Sequence, residues 1–157
     1  MQSKVKFLGH PVHQMMVVFP LGLLGVSVVF DLIHQLTGLS EMARVAYWMI
    51  VSGIVGGLLA APFGWIDWLS IPDGTRAKAV GRLHGVGNVI VLLLFLVSWA
   101  LRREAPGSPG LDAVGCSVAG LLLSLVTAWL GGELVDRLGV GVYDDAHVDA
   151  PSSLKQH

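Results

Sequence analysis

The sequence predicts an all-α fold, a polytopic four-transmembrane-helix bundle, and three observations predict it. Of 157 residues, 54% are hydrophobic and 13% charged, against about 25% charged in an average soluble domain. Mean hydropathy is +0.69. Four stretches contain no Asp, Glu, Lys or Arg: Phe7 to Phe30, Val45 to Ile66, Leu83 to Leu101 and Ala113 to Gly132. Each is near the roughly 20 residues that cross a hydrocarbon core about 30 Å thick as a helix. The intervening segments are short, so one domain over residues 1–157 is expected, with helices at about 11–34, 45–66, 82–101 and 113–133 and a short polar carboxyl-terminal tail.

The first helix opens with His10-Pro11-Val12-His13. Lys4 and Lys6 before an apolar core is the order of a signal peptide, but the core is too long and no small-x-small cleavage site lies between Ser27 and Gly38. The segment is therefore expected to stay as a helix. Pro suits a first helical turn, where its missing N–H would be unpaired anyway. His10 is then expected at the cap and His13 one turn along, both rings on one side. Pro20 removes a backbone bond and predicts a kink, tolerated inside a bundle.

The second helix carries Gly53, Gly56 and Gly57 and closes on "GWIDWL" with Asp67. The third begins near Arg82 and places His84 and Asn88 four residues apart on one face. The fourth carries Gly115, Gly120, Gly131 and Gly132, then Glu133 and Asp136. Small residues of this kind let membrane helices approach closely. Trp48, Trp65, Trp68, Trp99 and Trp129 fall near span ends and read as an aromatic belt. Near mid-depth the polar atoms are hydroxyls such as Ser52, Ser124 and Thr127, which argues against secondary transport, a function that places ionisable or unwound elements there.

Charge orients the helices. Lys4, Lys6, Arg76, Lys78, Arg82, Arg137 and Lys155 fall on one side of the four spans, and Arg44, Arg102 and Arg103 on the other. That bias predicts both termini in the cytoplasm of a bacterial inner membrane. His10, His13, Asp67, Arg82, His84, Glu133 and Asp136 then converge on the cytoplasmic face. Asp31 and His34, at the opposite face, are expected to hold loop contacts or to pair with Arg44 or Arg102. The net charge of -1 excludes nucleic acid as a partner. The lone Cys116 has no disulfide partner within the chain.

A weak repeat is visible. His13 precedes Asp67 by 54 positions and His84 precedes Asp136 by 52, which suggests two hairpins in parallel repeat about an axis along the membrane normal.

Together "GHPVH", "FPLG", Asp31, "GWIDW", "RLHGVGN" and "GGELVDRLGVGV" resemble the bacterial predicted-membrane-protein family known as domain of unknown function 2231, over nearly the whole chain. The resemblance implies a four-helix membrane bundle with no settled activity. Some relatives join this bundle to a Rieske-type iron–sulfur domain, which implies a redox setting and an iron–sulfur protein as a partner. Some of those carry His at the "GGEL" position where this chain has Glu133, so this resemblance does not extend to haem ligation by that residue.

Two classes of function follow. In the first, the histidines hold a redox or Lewis-acid centre: haem b between His13 and His84, or a transition metal, iron or zinc, on His10, His13, His84, Glu133 and Asp67. In the second, the bundle is a structural or partner-binding subunit without catalytic chemistry. Membrane lipid is a partner in either case, and a second copy of the chain is a further candidate. His84-x-x-x-Asn88 resembles part of the motif of intramembrane metalloproteases of the prenyl-protein type, but their paired glutamates are absent. No catalytic residue is assigned.

Overall fold

The computed structural model describes residues 1–155. The chain enters through a two-residue ladder, β1 (Lys6–Phe7) against β2 (His10–Pro11), with Phe7 opposite His10. The two linking residues, Leu8 and Gly9, have φ of 50° and 85°, as a tight hairpin turn demands at both positions. Pro11 then stands as the extended N-cap of α1 (Val12–Met16). His10 therefore lies in a strand and not at the helix cap, which corrects the expectation for HPVH: Pro11 is the cap and not a residue of the first turn.

α2 (Val18–Thr37) continues α1 after an interruption at Val17. Pro20 accounts for the break, because its ring crowds the carbonyl four residues back, that of Met16, and offers it no hydrogen. α3 (Ser40–Leu69), α4 (Arg76–Arg102) and α5 (Leu111–Gly132) follow, and α5 ends in a π-helical turn, Glu133–Arg137. Gly38, at φ 74°, closes α2 in the left-handed conformation that favours glycine. Thr75 caps α4 by accepting from the Lys78 N–H. Four segments are long and apolar enough to cross a membrane: Val12–Thr37, Ser40–Leu69, Arg76–Arg102 and Leu111–Arg137. They run beyond the charge-free stretches because helical bonding continues through the charged turns at each end.

α2 packs on α3 and α4 on α5, and the two hairpins meet through α3 with α4 and α2 with α5. α2 and α4 thus stand diagonally, on either side of a central axis. Leu24, Val28, Ile50, Val91 and Phe95 fill the core there. Outward faces are lined by exposed Leu, Val and Trp side chains such as Leu58, Leu93, Trp48, Trp65 and Trp129, the composition of a lipid-facing surface. Trp99 departs from the belt and packs against the core.

The two hairpins repeat in structure, with a register the sequence pattern had misplaced. His13 and His84, Leu24 and Phe95, Ser27 and Ser98, and Asp31 and Arg102 are pairs with one separation, 71. On the return helices Gly53 and Gly120, Ala60 and Thr127, and Gly64 and Gly131 are each separated by 67. Contacts map with the residues. Gly53 faces Leu24 as Gly120 faces Phe95, and Gly64 faces His13 as Gly131 faces His84. In this register Asp67 corresponds to Leu134 and Asp136 to Leu69, so the two aspartates are not counterparts. The parallel repeat runs about the bundle axis.

Candidate functional site

At the end of the bundle where α1 begins, the His13 Nδ1 lies 3.1 Å from the Ala60 carbonyl of α3. His84, on α4, repeats the contact: its Nδ1 lies 2.9 Å from the Thr127 carbonyl of α5. A carbonyl only accepts, so each Nδ1 carries the hydrogen and donates it, and each Nε2 is left with a lone pair. Each imidazole is pinned across its own hairpin, and the absence of a side chain at Gly64 and Gly131 makes the room.

The two Nε2 atoms differ. The Asn88 amide nitrogen lies 3.1 Å from His84 Nε2 and also donates to the His84 carbonyl at 3.0 Å. Asn88 Oδ1 accepts from the Thr127 hydroxyl at 3.0 Å. Thr127 thus serves His84 twice, by its carbonyl directly and by its hydroxyl through Asn88. The positions equivalent to Asn88 and Thr127 in the first hairpin are Val17 and Ala60, so the hydrogen-bond chain is confined to the second.

The carboxylates of the expected site are engaged elsewhere. Asp67 Oδ1 accepts from the Ser3 hydroxyl at 2.6 Å and from the Lys4 N–H at 3.0 Å, tying down the amino-terminal arm. Glu133 accepts from Arg76 at 2.6 Å. Asp136 is exposed, and His10 is exposed on β2. Among the described residues no three His, Cys, Asp or Glu side chains come together as a group that could hold a metal ion. The structure places His13 and His84 at one end of the bundle, each bonded within its own hairpin, and engages Asp67 and Glu133 with other partners.

The same arm joins the carboxyl-terminal segment across this end. The Tyr143 hydroxyl donates to the Gly9 carbonyl at 2.7 Å, Ser153 to the Leu8 carbonyl at 3.1 Å, and Lys6 Nζ lies 4.1 Å over the Tyr143 ring. Gly141 sits against Gln14. None of these partners is signalled by spacing or composition.

The far end holds a second polar group. Asp31 is 0% and Arg102 1% exposed. Arg102 reaches both carboxylate oxygens, at 2.7 and 3.0 Å. Ser117 donates to Asp31 at 3.1 Å, and Arg102 donates to the Ser98 hydroxyl at 2.9 Å. Arg102 was one of two partners expected for Asp31, but the contact is a buried fork and not a loop contact. His34 makes the expected loop contact, its Nδ1 3.0 Å from the carbonyl of Leu39 in the turn between α2 and α3.

Neither a curated protein nor a solved structure matches the chain. A family model does, over residues 9–144, a range that takes in both imidazoles, the Asp31–Arg102 pair and all four spans. The chain belongs to the family described as Predicted membrane protein (DUF2231).

Proposed function

We propose that the bundle holds a haem b, or a single transition metal ion such as iron or zinc, between His13 and His84, with a redox role at the membrane for haem or iron. The observation that supports this is the matched anchoring of both rings. A ligating imidazole characteristically donates its other N–H to a carbonyl or carboxylate, which fixes tautomer and ring orientation, and both rings do so through Nδ1. Two imidazoles suffice as axial ligands to haem iron, whereas an ion with tetrahedral ligation needs further donors, which the engaged carboxylates do not offer. Haem therefore fits better than a lone ion. Haem or iron would supply one-electron transfer when bound, and zinc, which has no redox chemistry, only Lewis acidity; the chain's part is to hold His13 Nε2 open and to release His84 Nε2 from Asn88.

The Asn88 contact favours a second reading, a structural or partner-binding subunit in which both histidines staple their own hairpins. One set of samples separates the two. Gently purified protein should show a haem spectrum, or stoichiometric metal by elemental analysis, that His13→Ala and His84→Ala each abolish. His10→Ala should leave it unchanged, and Asn88→Ala should keep or raise occupancy. No bound species in the native protein, with Asn88→Ala only lowering stability, establishes the structural reading.

A Rieske-type iron–sulfur protein is the electron partner this reading favours, and both termini are proposed to face the cytoplasm of a bacterial inner membrane, as the basic residues argue. A topology reporter joined after His157, a residue outside those described, tests the orientation. Activity only outside the cytoplasm reverses it.

A further inference from the structure

The pseudo-symmetry raises a question of assembly that the histidine site does not touch. The surfaces the hairpins offer each other are built from corresponding positions, Leu24 and Phe95, Ser27 and Ser98, Val28 and Trp99, Ile50 and Ser117, which differ in size but are all uncharged. Uncharged contacts at matched positions put no charge penalty on pairing a hairpin with the like hairpin of a second copy. Asp31 and Arg102 are the exception. They occupy equivalent positions, carry opposite charge, and meet each other across the axis.

We propose that this pair is the recognition element by which the two hairpins choose each other, selecting the pairing of first with second hairpin and rejecting like with like. In the native pairing the guanidinium fork satisfies both carboxylate oxygens and Ser117 adds a third donor. Pairing two first hairpins from separate copies sets Asp31 against Asp31; pairing two second hairpins sets Arg102 against Arg102. Either places like charges in a site with almost no solvent exposure, where an uncompensated charge is strongly unfavourable. The apolar remainder of the interface supplies adhesion and the ion pair supplies choice, a use of unfavourable alternatives common to specific interfaces.

Charge exchange tests this in the full chain. Asp31→Arg alone and Arg102→Asp alone should lose the native monomer in detergent. The double variant D31R/R102D should recover most of it, falling short only because Asp at position 102 would face Ile50, the counterpart of Ser117. Co-expressed D31R and R102D chains under different tags should co-purify as mixed dimers, each chain's charge answering the other's. Two native copies should not. D31L/R102M should fold, since a buried ion pair is often replaceable by apolar residues, yet form dimers by hairpin exchange, read by cross-linking. The proposal is overturned if the exchanged double variant is as damaged as the singles, if D31R and R102D do not associate, or if D31L/R102M is unfolded or purely monomeric.

Discussion

Gly64→Ala should dislodge His13, and the size of the effect can be worked from the contact. A Cβ at residue 64 would stand 2.6 Å from His13 Cε1, 2.9 Å from Nδ1 and 3.0 Å from Nε2, where ordinary contact begins at 3.4 Å. The ring must therefore retreat by roughly 0.8 Å (3.4 less 2.6), enough to carry its 3.1 Å bond to Ala60 beyond hydrogen-bond range. Overpacking of this kind costs about 1–3 kcal/mol and the lost bond about 1 kcal/mol, offset by about 1 kcal/mol for Ala over Gly in a helix. A net loss of about 1–3 kcal/mol is expected. Gly131→Ala makes the paired control: its Cβ would meet His84 Cε1 at 3.2 Å, a crowding that a few tenths of an ångström relieve, so the helix gain cancels it. Unfolding in detergent micelles gives the stabilities, and nitrogen NMR of histidine-labelled protein shows whether the Nδ1–H bond survives. Gly64→Ala with an undisturbed His13 resonance and native stability, or a Gly131→Ala loss equal to it, would refute the reasoning.

Asp31→Ala and Arg102→Ala should each cost about 3–5 kcal/mol, because each strands a buried charge; denaturant titration in micelles reads it. Glu133→Gln should cost less than about 1 kcal/mol in the same assay, since the side chain of its partner Arg76 is 62% exposed and solvent screens the pair. Thr127→Val removes the hydroxyl that Asn88 accepts from but keeps the carbonyl that holds His84; a loss of about 1 kcal/mol with His84 Nδ1–H still bonded is expected by NMR. Asp67→Ala should speed hydrogen exchange at Ser3 and Lys4 while leaving exchange in the four long helices unchanged, because its carboxylate holds only the amino-terminal arm.

The membrane spans were legible because hydrocarbon thickness imposes a length and a charge rule that a single sequence displays. The contact between His84 and Asn88 was legible for a similar reason, a spacing of four on a helix. Partners across helices were not. Thr127 was visible only as a hydroxyl near mid-depth, and nothing in its neighbourhood tells that its carbonyl meets His84. Gly64 was passed over among more clustered glycines, since the need for an empty position arises from the ring opposite. The repeat was sensed but misregistered, because acidic residues at helix ends draw the eye more than Gly53 and Gly120, which actually hold corresponding places. The place of His10 was not legible because the fixed φ of Pro11 suits an extended N-cap as well as a first-turn residue; the turn at Leu8 and Gly9 makes Pro11 the cap and leaves His10 in the strand before it.

Asp31 and Arg102 are separated by 71 residues, and that interval has a duration. At about 5–20 residues per second of synthesis, Arg102 is made roughly 4–14 seconds after Asp31. Throughout it the carboxylate has no counter-ion, and once α3 is complete at Leu69 the first hairpin exists without one. Asp31 is six residues short of the end of α2 at Thr37, or about 9 Å at 1.5 Å per residue, near enough to that end of the helix for water to reach it. The carboxylate has water as its partner until the third long helix arrives, so the bundle locks at this end only late in its biogenesis.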